Sequence, residues 1–262
     1  MKIISWNVAG IRAIIKKPEF INLLNNDNND LPDIICLQET KAEENQVILN
    51  DDIKNLYKYR YWNSTKGTTQ RKGLSGTSIW CLSPPIKVFD TPLFDEEGRI
   101  LAVEFDNFIL VNVYVPNSQK YESDRYFFRE NWNKKFIEYL SILRKSKELI
   151  VCGDMNVAHN DIDISNPEKK KNKMAGFYDT ERNDFTNLLN KVKLVDIFRN
   201  LYPLERKSTY WSNFLKALRS NHNGWRIDYF LISDNMLSIV KDYKILMNTY
   251  GSDHCPLLIE IK

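Results

Sequence analysis

The chain contains few of the residues through which proteins bind soft metals or form covalent cross-links. Its 262 residues include four cysteines and three histidines. Each cysteine lies in or beside an apolar stretch and none forms a Cys-x-x-Cys pair, which excludes a disulfide scaffold and predicts reduced thiols in the core. The histidines lack the spacing of a structural or catalytic zinc site, so zinc chemistry is not expected.

Long hydrophobic runs are absent as well. No uninterrupted apolar segment approaches the roughly 20 residues that span a bilayer, and the residues after Met1 lack the layout of a signal peptide. We therefore expect no membrane partner and an intracellular location, in a bacterial cytoplasm or a eukaryotic nucleus. With 43% hydrophobic residues the chain can bury one substantial core, which predicts a single domain over residues 1–262.

A strong charge of one sign and two common catalytic motifs are also missing. The formal net charge of +3 permits a polyanionic partner without requiring one. No Gly-x-Ser-x-Gly elbow and no Gly-x-x-x-x-Gly-Lys phosphate loop occur. Cys255 follows His254 but precedes Pro256 in an apolar stretch, which argues against a thiol nucleophile.

The elements that are present predict an α/β fold rich in antiparallel strands. Helical spacing predicts one helix from about Ser123 to Lys145, with Ser123 as its cap, and a second over about 179–193. Asp106-Asn107 interrupts the longest apolar run and predicts a tight hairpin. Apolar runs that end in turn signals predict strands at 3–8, 33–37, 77–82, 100–115, 149–152, 227–232 and 255–261.

Polar side chains that suit phosphodiester hydrolysis close several of these apolar runs. Residues two apart on a strand point to the same side, so Asp154 and Asn156 can share a cleft if the extended conformation continues. Oxygen ligands favour Mg²⁺ or Mn²⁺, and the same set offers a base and charge-stabilising donors for metal-assisted attack of water. The residues that close the runs are Asn7, Glu39, Tyr114, Asp154, Asn156, Asp228, Asp253 and His254.

Six segments, spread over essentially the whole chain, together resemble one family. They are Ile-Ser-Trp-Asn-Val-Ala-Gly-Ile-Arg-Ala at 4–13, Cys-Leu-Gln-Glu-Thr-Lys at 36–41, Tyr-Val-Pro-Asn at 114–117, Cys-Gly-Asp-Met-Asn-Val-Ala-His at 152–159, Gly-Trp-Arg-Ile-Asp-Tyr-Phe at 224–230 and Gly-Ser-Asp-His-Cys-Pro at 251–256. In this order they resemble the exonuclease III type of apurinic/apyrimidinic (AP) endonuclease, within the deoxyribonuclease I-like endonuclease/exonuclease/phosphatase superfamily.

The resemblance implies a fold and an activity. The implied fold is a four-layer α/β sandwich, with two mixed, mostly antiparallel sheets packed face to face and helices outside. The implied enzyme is a DNA repair hydrolase that uses Mg²⁺, with Mn²⁺ as a substitute. It cuts the backbone 5′ to an abasic site and also acts as a 3′–5′ exonuclease and 3′-phosphodiesterase. We expect a monomer whose partner is double-stranded DNA with abasic sites or blocked 3′ ends.

The resemblance also implies a catalytic role for five residues. Asp154 matches the general base that prepares the attacking water, and Asn156 matches a donor that positions this water or supports the transition state. His254 is expected to hydrogen-bond a non-bridging phosphate oxygen, with Asp228 favouring its charged form. Tyr114 matches a phenol near the scissile phosphate.

The metal ligands are implied in the same way. Glu39 matches the principal Mg²⁺ ligand, and Asn7 lies beside it to orient the carboxylates and contact the metal. Because the number of ions is unsettled within the family, secondary metal contacts are expected from Asp154, Asn156, Asp253 and His254.

Binding of an extruded abasic nucleotide is assigned to other residues. The resemblance places Trp225 in an aromatic wall of the sugar pocket, with Tyr210, Trp211 and Ile227 beside it. For Tyr210 and Trp211, ordinary core packing is an equal alternative. Three cations follow catalytic strand ends and suit backbone phosphates, although each fits a solvated surface charge equally well: Arg12, Lys17 and Lys41.

One departure from the family pattern bears on metal binding. Ala9 stands where relatives commonly carry Asp or Asn, and a methyl group cannot bind Mg²⁺ or hold a metal-bound water. We favour the interpretation that this position is a secondary contact and that Glu39 suffices; the alternative is weakened metal affinity.

Two other functions stay open. A sister phosphodiesterase acting on phosphoinositides or sphingomyelin would share the Glu, Asp-x-Asn and Asp-His elements, but the segments at 6–13 and 224–230 favour the DNA-repair branch. A non-catalytic or metal-impaired binder of damaged DNA is suggested by Ala9 alone. Against it, the expected base, the main metal ligand and the Asp228–His254 pair are all present.

Overall fold

Twelve β-strands occur in the part of the chain that the structure describes. This structure is a computed structural model, and it describes residues 1–24, 31–65, 73–212, 219 and 223–262. In chain order the strands are β1 (Lys2–Asn7), β2 (Ile34–Gln38), β3 (Tyr59–Asn63), β4 (Thr77–Cys81), β5 (Lys87–Val88), β6 (Ile100–Glu104), β7 (Ile109–Tyr114), β8 (Leu149–Asp154), β9 (Leu194–Asp196), β10 (Asp228–Ser233), β11 (Val240–Ile245) and β12 (Leu257–Ile261).

Helices connect many of these strands. Segments of 3₁₀ helix lie at Glu44–Gln46, Asp161–Asp163 and Asp234–Ile239. The α-helices are α1 (Ile11–Ile14), α2 (Pro18–Leu24), α3 (Asp51–Leu56), α4 (Asp124–Ser146), α5 (Pro167–Lys170), α6 (Asp179–Val192) and α7 (Ile197–Leu201).

The strands form two six-stranded mixed sheets. The first has the order β11-β12-β1-β2-β4-β3 and the second β5-β6-β7-β8-β10-β9. Each sheet contains one parallel pair, β1 with β2 and β7 with β8, and its other neighbours are antiparallel. Parallel neighbours bring their carboxyl ends to the same edge of a sheet, so each sheet presents the carboxyl ends of two strands at one edge.

Three apolar clusters stack these elements into four layers. The central cluster contains side chains from both sheets, such as Cys36 of β2 and Cys152 of β8. An outer cluster packs α4 and α6 against the second sheet, and another packs α1, α2 and α3 against the first. The expected four-layer α/β sandwich with helices outside is therefore confirmed.

Most of the predicted elements are confirmed. Every predicted apolar run contains a strand, and the hairpin around Asp106-Asn107 is closed by a bond from Phe105 N to Phe108 O of 2.9 Å. The two predicted helices are α4 and α6, and the Ser123 side chain caps α4 by accepting from Tyr126 N at 3.3 Å. The sequence did not predict β3, β5, β9 or β11, nor the five short α-helices.

One aromatic side chain of α4 lies outside the apolar face of the helix. Phe127 is 53% exposed, whereas Trp132, Phe136, Leu140 and Leu143 are buried. Phe127 lies five residues before Trp132, which turns it about 140° around the helix from the apolar stripe. Phe127 therefore faces away from the core.

The four cysteines are buried and unpaired, as expected for reduced core thiols. Within the described ranges, no helix has the length and apolar character needed to cross a bilayer.

Candidate active site

Both sheets contribute polar side chains to one cleft of about 660 Å³. In the first sheet, Asn7 ends β1 and Glu39 follows β2. In the second, Tyr114 ends β7 beside Asp154 at the end of β8, and Asp228 begins β10 directly opposite Asp154. The site thus lies where the edges of the two sheets meet. The residues that line the cleft include Glu39, Tyr114, Asn117, Lys120, Asp154, Asn156, Lys173, Tyr178, Tyr210, Trp225, Ile227, Asp253 and His254.

Asn7 joins the two sheets beneath this cleft. Its Nδ2 donates to Glu39 Oε1 at 3.1 Å and to Asp154 Oδ2 at 3.0 Å, and its Oδ1 accepts from Ala9 N at 3.0 Å. The side chain is fully buried. In this arrangement Asn7 orients two carboxylates as a donor, while its oxygen is engaged by the Ala9 amide.

Glu39 is held as a charged carboxylate. Burial alone would raise its pKa, but the ammonium of Lys41, with Nζ 2.8 Å from Oε2, outweighs this and the net pKa is lowered. Hydrogen bonds from Asn7 and from the hydroxyl of Tyr114 act in the same direction. A carboxylate that stays ionised is available to a cation throughout the neutral range.

Asp154 and Asn156 both reach the cleft, but through a turn and not through continued extended chain. Strand β8 ends at Asp154, and Asn156 adopts a left-handed conformation with φ 48°. Asn156 N donates to Asp154 Oδ1 at 2.8 Å, and Asn156 Nδ2 donates to Val115 O at 2.8 Å. The extended conformation on which the sequence-based expectation depended does not continue to Asn156. The two side chains nevertheless share one cleft.

Asp228 and His254 form a buried pair beside Asp154. His254 Nδ1 lies 2.8 Å from Asp228 Oδ2, which also accepts from Thr209 Oγ1 at 2.6 Å. His254 Nε2 lies 3.8 Å from Asp154 Oδ2. Burial opposes a charge on the imidazole, but Asp228 and Asp154 outweigh it and raise the pKa of His254 to about 10. The ring therefore carries a proton at neutral pH.

The environment of Asp154 favours a proton acceptor poised near neutrality. Burial and the negative charge of Asp228 raise the pKa of Asp154 to about 7, and the charge on His254 opposes this only in part. A general base works best when its pKa lies near the operating pH. Asp154 has this property without further assistance.

The donor set suits a hard metal ion. Asp154, Asp228 and His254 place ligand atoms within 4.8 Å of one another and form a candidate metal site. An imidazole ligates only when neutral, whereas Asp228 favours the charged form of His254. The carboxylate oxygens of Glu39 and Asp154 are therefore the better donors, and such oxygens suit Mg²⁺. Asp253 also lines the cleft, where its Oδ1 accepts from Ser252 Oγ at 3.2 Å.

Aromatic and apolar side chains form one wall of the cleft. Trp225, Ile227 and Tyr210 line it, and the rings of Tyr210 and His254 lie 4.8 Å apart. Isolated β-bridges join Tyr210 to both Trp225 and His254. Trp211 is instead 2% exposed with the guanidinium of Arg219 over its ring at 4.6 Å. Trp211 borders a neighbouring pocket and does not line the cleft. The alternative of ordinary packing therefore fits Trp211, whereas Tyr210 lines the cleft.

The three cations expected at DNA phosphates lie outside the set of described residues that line the cleft. Arg12 is exposed in the last turn of α1. Lys17 donates to Gly251 O, and Lys41 contacts Glu39. The lysines that do line the cleft, among the residues described, are Lys120 and Lys173.

Several residues that shape the site were missed in the sequence. Asn117 Nδ2 donates to Asn156 Oδ1 at 3.1 Å, and its place in the segment Tyr-Val-Pro-Asn was a usable signal. Thr209 supports Asp228, and Arg99 lies over the ring of Tyr114 at 4.5 Å. Neither of these belongs to a recognisable motif, because only the tertiary fold brings them to the site.

Comparison with known proteins points in one direction. The model of the Endonuclease/Exonuclease/phosphatase family matches residues 4–254. The chain is 39% identical over 261 residues to the exodeoxyribonuclease of Bacillus subtilis, covering 98% of each chain. It is 41% identical over 265 residues to the DNA repair nuclease APEX1 of Danio rerio, covering 99% of this chain and 81% of that protein.

A solved structure agrees with this at the level of the fold. The AP endonuclease from Archaeoglobus fulgidus superposes with a TM-score of 0.85 at 26% sequence identity, covering 100% of this chain and 99% of the other. The two-sheet sandwich described above is therefore an AP endonuclease fold.

Proposed function

The chain belongs to the endonuclease/exonuclease/phosphatase family, and from that premise we propose that it hydrolyses the DNA backbone 5′ to an abasic site with the help of Mg²⁺. The enzyme class follows from the full-length relatives at 39% and 41% identity: the protein is a DNA repair nuclease of the AP endonuclease and exodeoxyribonuclease III type. The observation that carries the finer proposal is the cleft in which Glu39, Asp154 and His254 converge.

The proposed reaction is an in-line hydrolysis. Asp154 accepts a proton from water, whose oxygen attacks the phosphorus, and Asn156 directs that water from the same turn. The bond from phosphorus to the 3′ oxygen breaks, and this oxygen takes a proton from solvent water to leave as the 3′ hydroxyl. Charged His254, held by Asp228, and the hydroxyl of Tyr114 donate to the phosphate oxygens on which negative charge accumulates.

The metal would be held mainly by Glu39. A bound Mg²⁺ supplies Lewis-acid stabilisation of a phosphate oxygen, and Mn²⁺ is expected to substitute. Asn7 contributes by fixing the orientation of Glu39 and Asp154. Of the secondary metal contacts expected from the sequence, Asp154, Asn156 and Asp253 are proposed here, whereas His254 would contact the metal only after losing its ring proton.

The proposed DNA contacts surround the same cleft. Trp225, Tyr210 and Ile227 would form the wall against which an extruded abasic sugar packs, with Trp211 behind it. Phosphates of the duplex would be met by Arg12, Lys17 and Lys41, the last after it releases Glu39. Lys120 and Lys173 extend the positive surface along the cleft.

We further propose that residues 1–262 act as one catalytic domain and as a monomer, because one chain supplies every group named in the reaction. The substrate would be double-stranded DNA with abasic sites or blocked 3′ ends. Removal of 3′ blocks and 3′–5′ exonuclease activity would use the same groups. DNA as the substrate implies action inside a cell, in a bacterial cytoplasm or a eukaryotic nucleus.

Cleavage of an end-labelled duplex with a single abasic-site analogue tests this proposal. The analogue must resist β-elimination, so that a strand break reports hydrolysis. We expect a single cut immediately 5′ to the lesion that requires Mg²⁺ and disappears with EDTA, while an undamaged duplex of the same sequence is cut far more slowly.

The alternatives give different results in the same experiment. Tight binding of the damaged duplex without a cut, even at high Mg²⁺ or Mn²⁺, would favour a metal-impaired binder. Neither binding nor cutting, together with hydrolysis of a phosphoinositide or sphingomyelin, would favour the lipid branch of the superfamily.

A further inference from the structure

A buried ion pair lies behind the cleft, between the two longest helices. Arg129 of α4 and Glu181 of α6 are 2% and 3% exposed, and Arg129 Nη1 lies 3.1 Å from Glu181 Oε1. Neither side chain lines the cleft. Removing two charges from water is costly, and an apolar pair of similar volume often serves packing equally well. The partners of each charge therefore indicate what the pair does.

Arg129 holds the turn that carries the catalytic strand end. Its Nη1 donates to Asn156 O at 2.8 Å, and its Nη2 donates to Met155 O at 3.1 Å. Asn156 has φ 48°, a left-handed conformation that Asn adopts more easily than most L-residues and that the surrounding contacts select here. Since Asn156 N donates to Asp154 Oδ1, the guanidinium fixes the turn on which the proposed base and its amide neighbour depend.

Glu181 holds two other segments, and both of them wall the cleft. Its Oε1 accepts from Ser118 Oγ at 2.6 Å, and its Oε2 accepts from Tyr178 N at 3.1 Å. Ser118 lies between Asn117 and Lys120, which line the cleft, and Tyr178 lines it from the opposite segment. Tyr178 OH closes the connection by donating to Gln119 O at 3.2 Å.

We propose that Arg129 and Glu181 are positioning residues with separable effects on the reaction. Arg129 sets the geometry of the turn at 154–156 and so controls the rate of the chemical step. Glu181 sets the spacing between the segments at 117–120 and 173–178 and so controls how tightly damaged DNA is held. This inference rests on the proposed function and adds to it two residues that never touch substrate.

A pair with a purely structural role behaves differently. If the two charges only hold α4 against α6, loss of either partner destabilises the same contact and lowers the amount of folded enzyme. The rate per folded molecule and the affinity for DNA then change little, or change together. A split between the two quantities is expected only if each partner positions a different part of the site.

Conservative variants test the split while the fold is retained. Arg129→Lys keeps the positive charge beside Glu181 but loses the fork that reaches two carbonyls. Glu181→Gln keeps the shape but loses the charge. Control variants Arg144→Lys and Glu148→Gln alter the ion pair at the far end of α4, where Arg144 Nη2 lies 2.9 Å from Glu148 Oε2. Each protein is assayed for single-turnover incision of an abasic-analogue duplex and for equilibrium binding of that duplex in EDTA.

The two variants are expected to change different quantities, the rate of incision for Arg129→Lys and the affinity for DNA for Glu181→Gln. Arg129→Lys should lower the single-turnover rate by about tenfold or more, because small displacements of catalytic groups are costly, with binding within about twofold of wild type. Glu181→Gln should weaken binding by about fivefold to tenfold, with the larger part of the incision rate at saturating enzyme retained. The controls should match wild type in both measurements.

Three results would overturn the inference, and a fourth would instead contradict the proposed function. Equal losses in rate and affinity for both variants, or no change in either, would overturn the inference. If a single variant fails to fold, the apolar pair Arg129→Leu with Glu181→Leu replaces it, and normal rate and affinity in that folded double variant would also overturn the inference. An inactive wild-type enzyme would instead contradict the proposed function, so the two failures are distinguishable.

Discussion

At position 9 an alanine occupies a backbone conformation that favours other residues. Ala9 has φ 49°, in the left-handed region that Gly, Asn and Asp adopt more easily than Ala. Its amide donates to Asn7 Oδ1, and Asn7 in turn donates to Glu39 and Asp154. The backbone conformation of Ala9 therefore helps to orient both carboxylates. The residue thus serves the site through its backbone while its methyl group adds nothing to metal binding.

Substitution of Ala9 separates these two contributions. Ala9→Asp should lower the Mg²⁺ concentration needed for half-maximal cleavage, because it adds an oxygen donor near Glu39. Ala9→Gly should relieve a backbone cost of about 1 kcal/mol without changing that concentration. Mg²⁺ titrations and thermal unfolding of the three proteins check both expectations, and an unchanged titration for Ala9→Asp would refute the first.

The pH dependence of the rate follows from the two perturbed groups. Asp154 must be deprotonated, and burial and Asp228 raise its pKa to about 7, so the rate should rise with pH through that region. A bound cation favours the carboxylate and moves this limb to lower pH. His254 must be protonated; despite its burial, Asp228 raises its pKa to about 10, so the rate should fall as the pH approaches that value.

Single-turnover rates from pH 5 upward test this profile, with circular dichroism as the control for unfolding. His254→Asn should lower the rate and remove the descending limb, since no imidazole remains to lose its proton. A descending limb that persists unchanged in folded His254→Asn would show that another group is responsible.

At this scale the sequence motifs were a good guide to the groups that converge. Glu39, Asp154 and His254 each lie in a recognisable segment, and the structure brings all three to one cleft. The supports of these groups were not predictable, because Thr209 and Arg129 act from other elements and carry no motif. A sequence motif contains the residues that contact a ligand, whereas the residues that hold them in position are brought there by tertiary packing.

At the scale of elements, the end of β8 depends on a glycine. Gly153 has φ 135°, and a Cβ at this position would lie 1.9 Å from Val113 O of the neighbouring strand β7. This close approach lets β7 and β8 pair up to Tyr114 and Asp154. The catalytic strand end therefore requires a residue without a side chain.

Gly153→Ala should consequently separate the two strand ends. We expect a loss of at least about 2 kcal/mol in the free energy of unfolding, from backbone strain and the clash, together with a large loss of incision. Gly73→Ala is a control for backbone strain without the clash, since Gly73 also has a positive φ, 73°, but a Cβ there meets its nearest atom, Lys41 O, at 3.4 Å. Chemical denaturation measures the difference, and a Gly153→Ala protein as stable as wild type would contradict the argument.

The strands and helices that the sequence predicted share one property, a long apolar pattern. The buried strands β2 and β8 are apolar over nearly their full length, whereas three of the six residues of β11 are charged, in no regular alternation, at the edge of its sheet. Strands β5 and β9 have two and three residues, too few to show any period. These elements exist because a neighbouring strand pairs with them.

At the scale of the molecule, the site depends on the registry of two sheets. A buried polar network beneath the cleft contributes to the interface between them. Gln38 Nε2 donates to Asn112 Oδ1 at 2.6 Å, and Asn112 Nδ2 donates to Leu37 O and Ser78 O at 2.9 Å each. Asn112 of the second sheet thus bonds three residues of the first, and it lies two residues before Tyr114.

Replacing Asn112 should damage stability and activity together. Asn112→Leu keeps a similar volume but leaves buried carbonyl oxygens without donors, which should cost at least about 2 kcal/mol of folding free energy. Incision per folded molecule should also fall, because Glu39 and Asp154 come from different sheets. Asn107→Leu, in the exposed hairpin, should change stability by less than about 0.5 kcal/mol. Full activity in folded Asn112→Leu would show that the network does not set the registry.

The global arrangement was predictable only through the resemblance to a family. Apolar runs and hairpin signals gave an antiparallel-rich α/β fold, but strand order is a property of long-range pairing that no local pattern contains. The pairing of β1 with β12, which joins the two ends of the described chain, illustrates this.

The most direct test of the account is a comparison of wild type, Asp154→Asn and Glu39→Ala on a duplex with one abasic-site analogue, with binding and single-turnover cleavage measured on the same samples. We expect Mg²⁺-dependent incision 5′ to the lesion by the wild type. We also expect loss of cleavage with retained binding for Asp154→Asn, and a greatly increased Mg²⁺ requirement for Glu39→Ala. Undiminished cleavage by folded Asp154→Asn would contradict the assignment of the strand end at Asp154 as the catalytic centre.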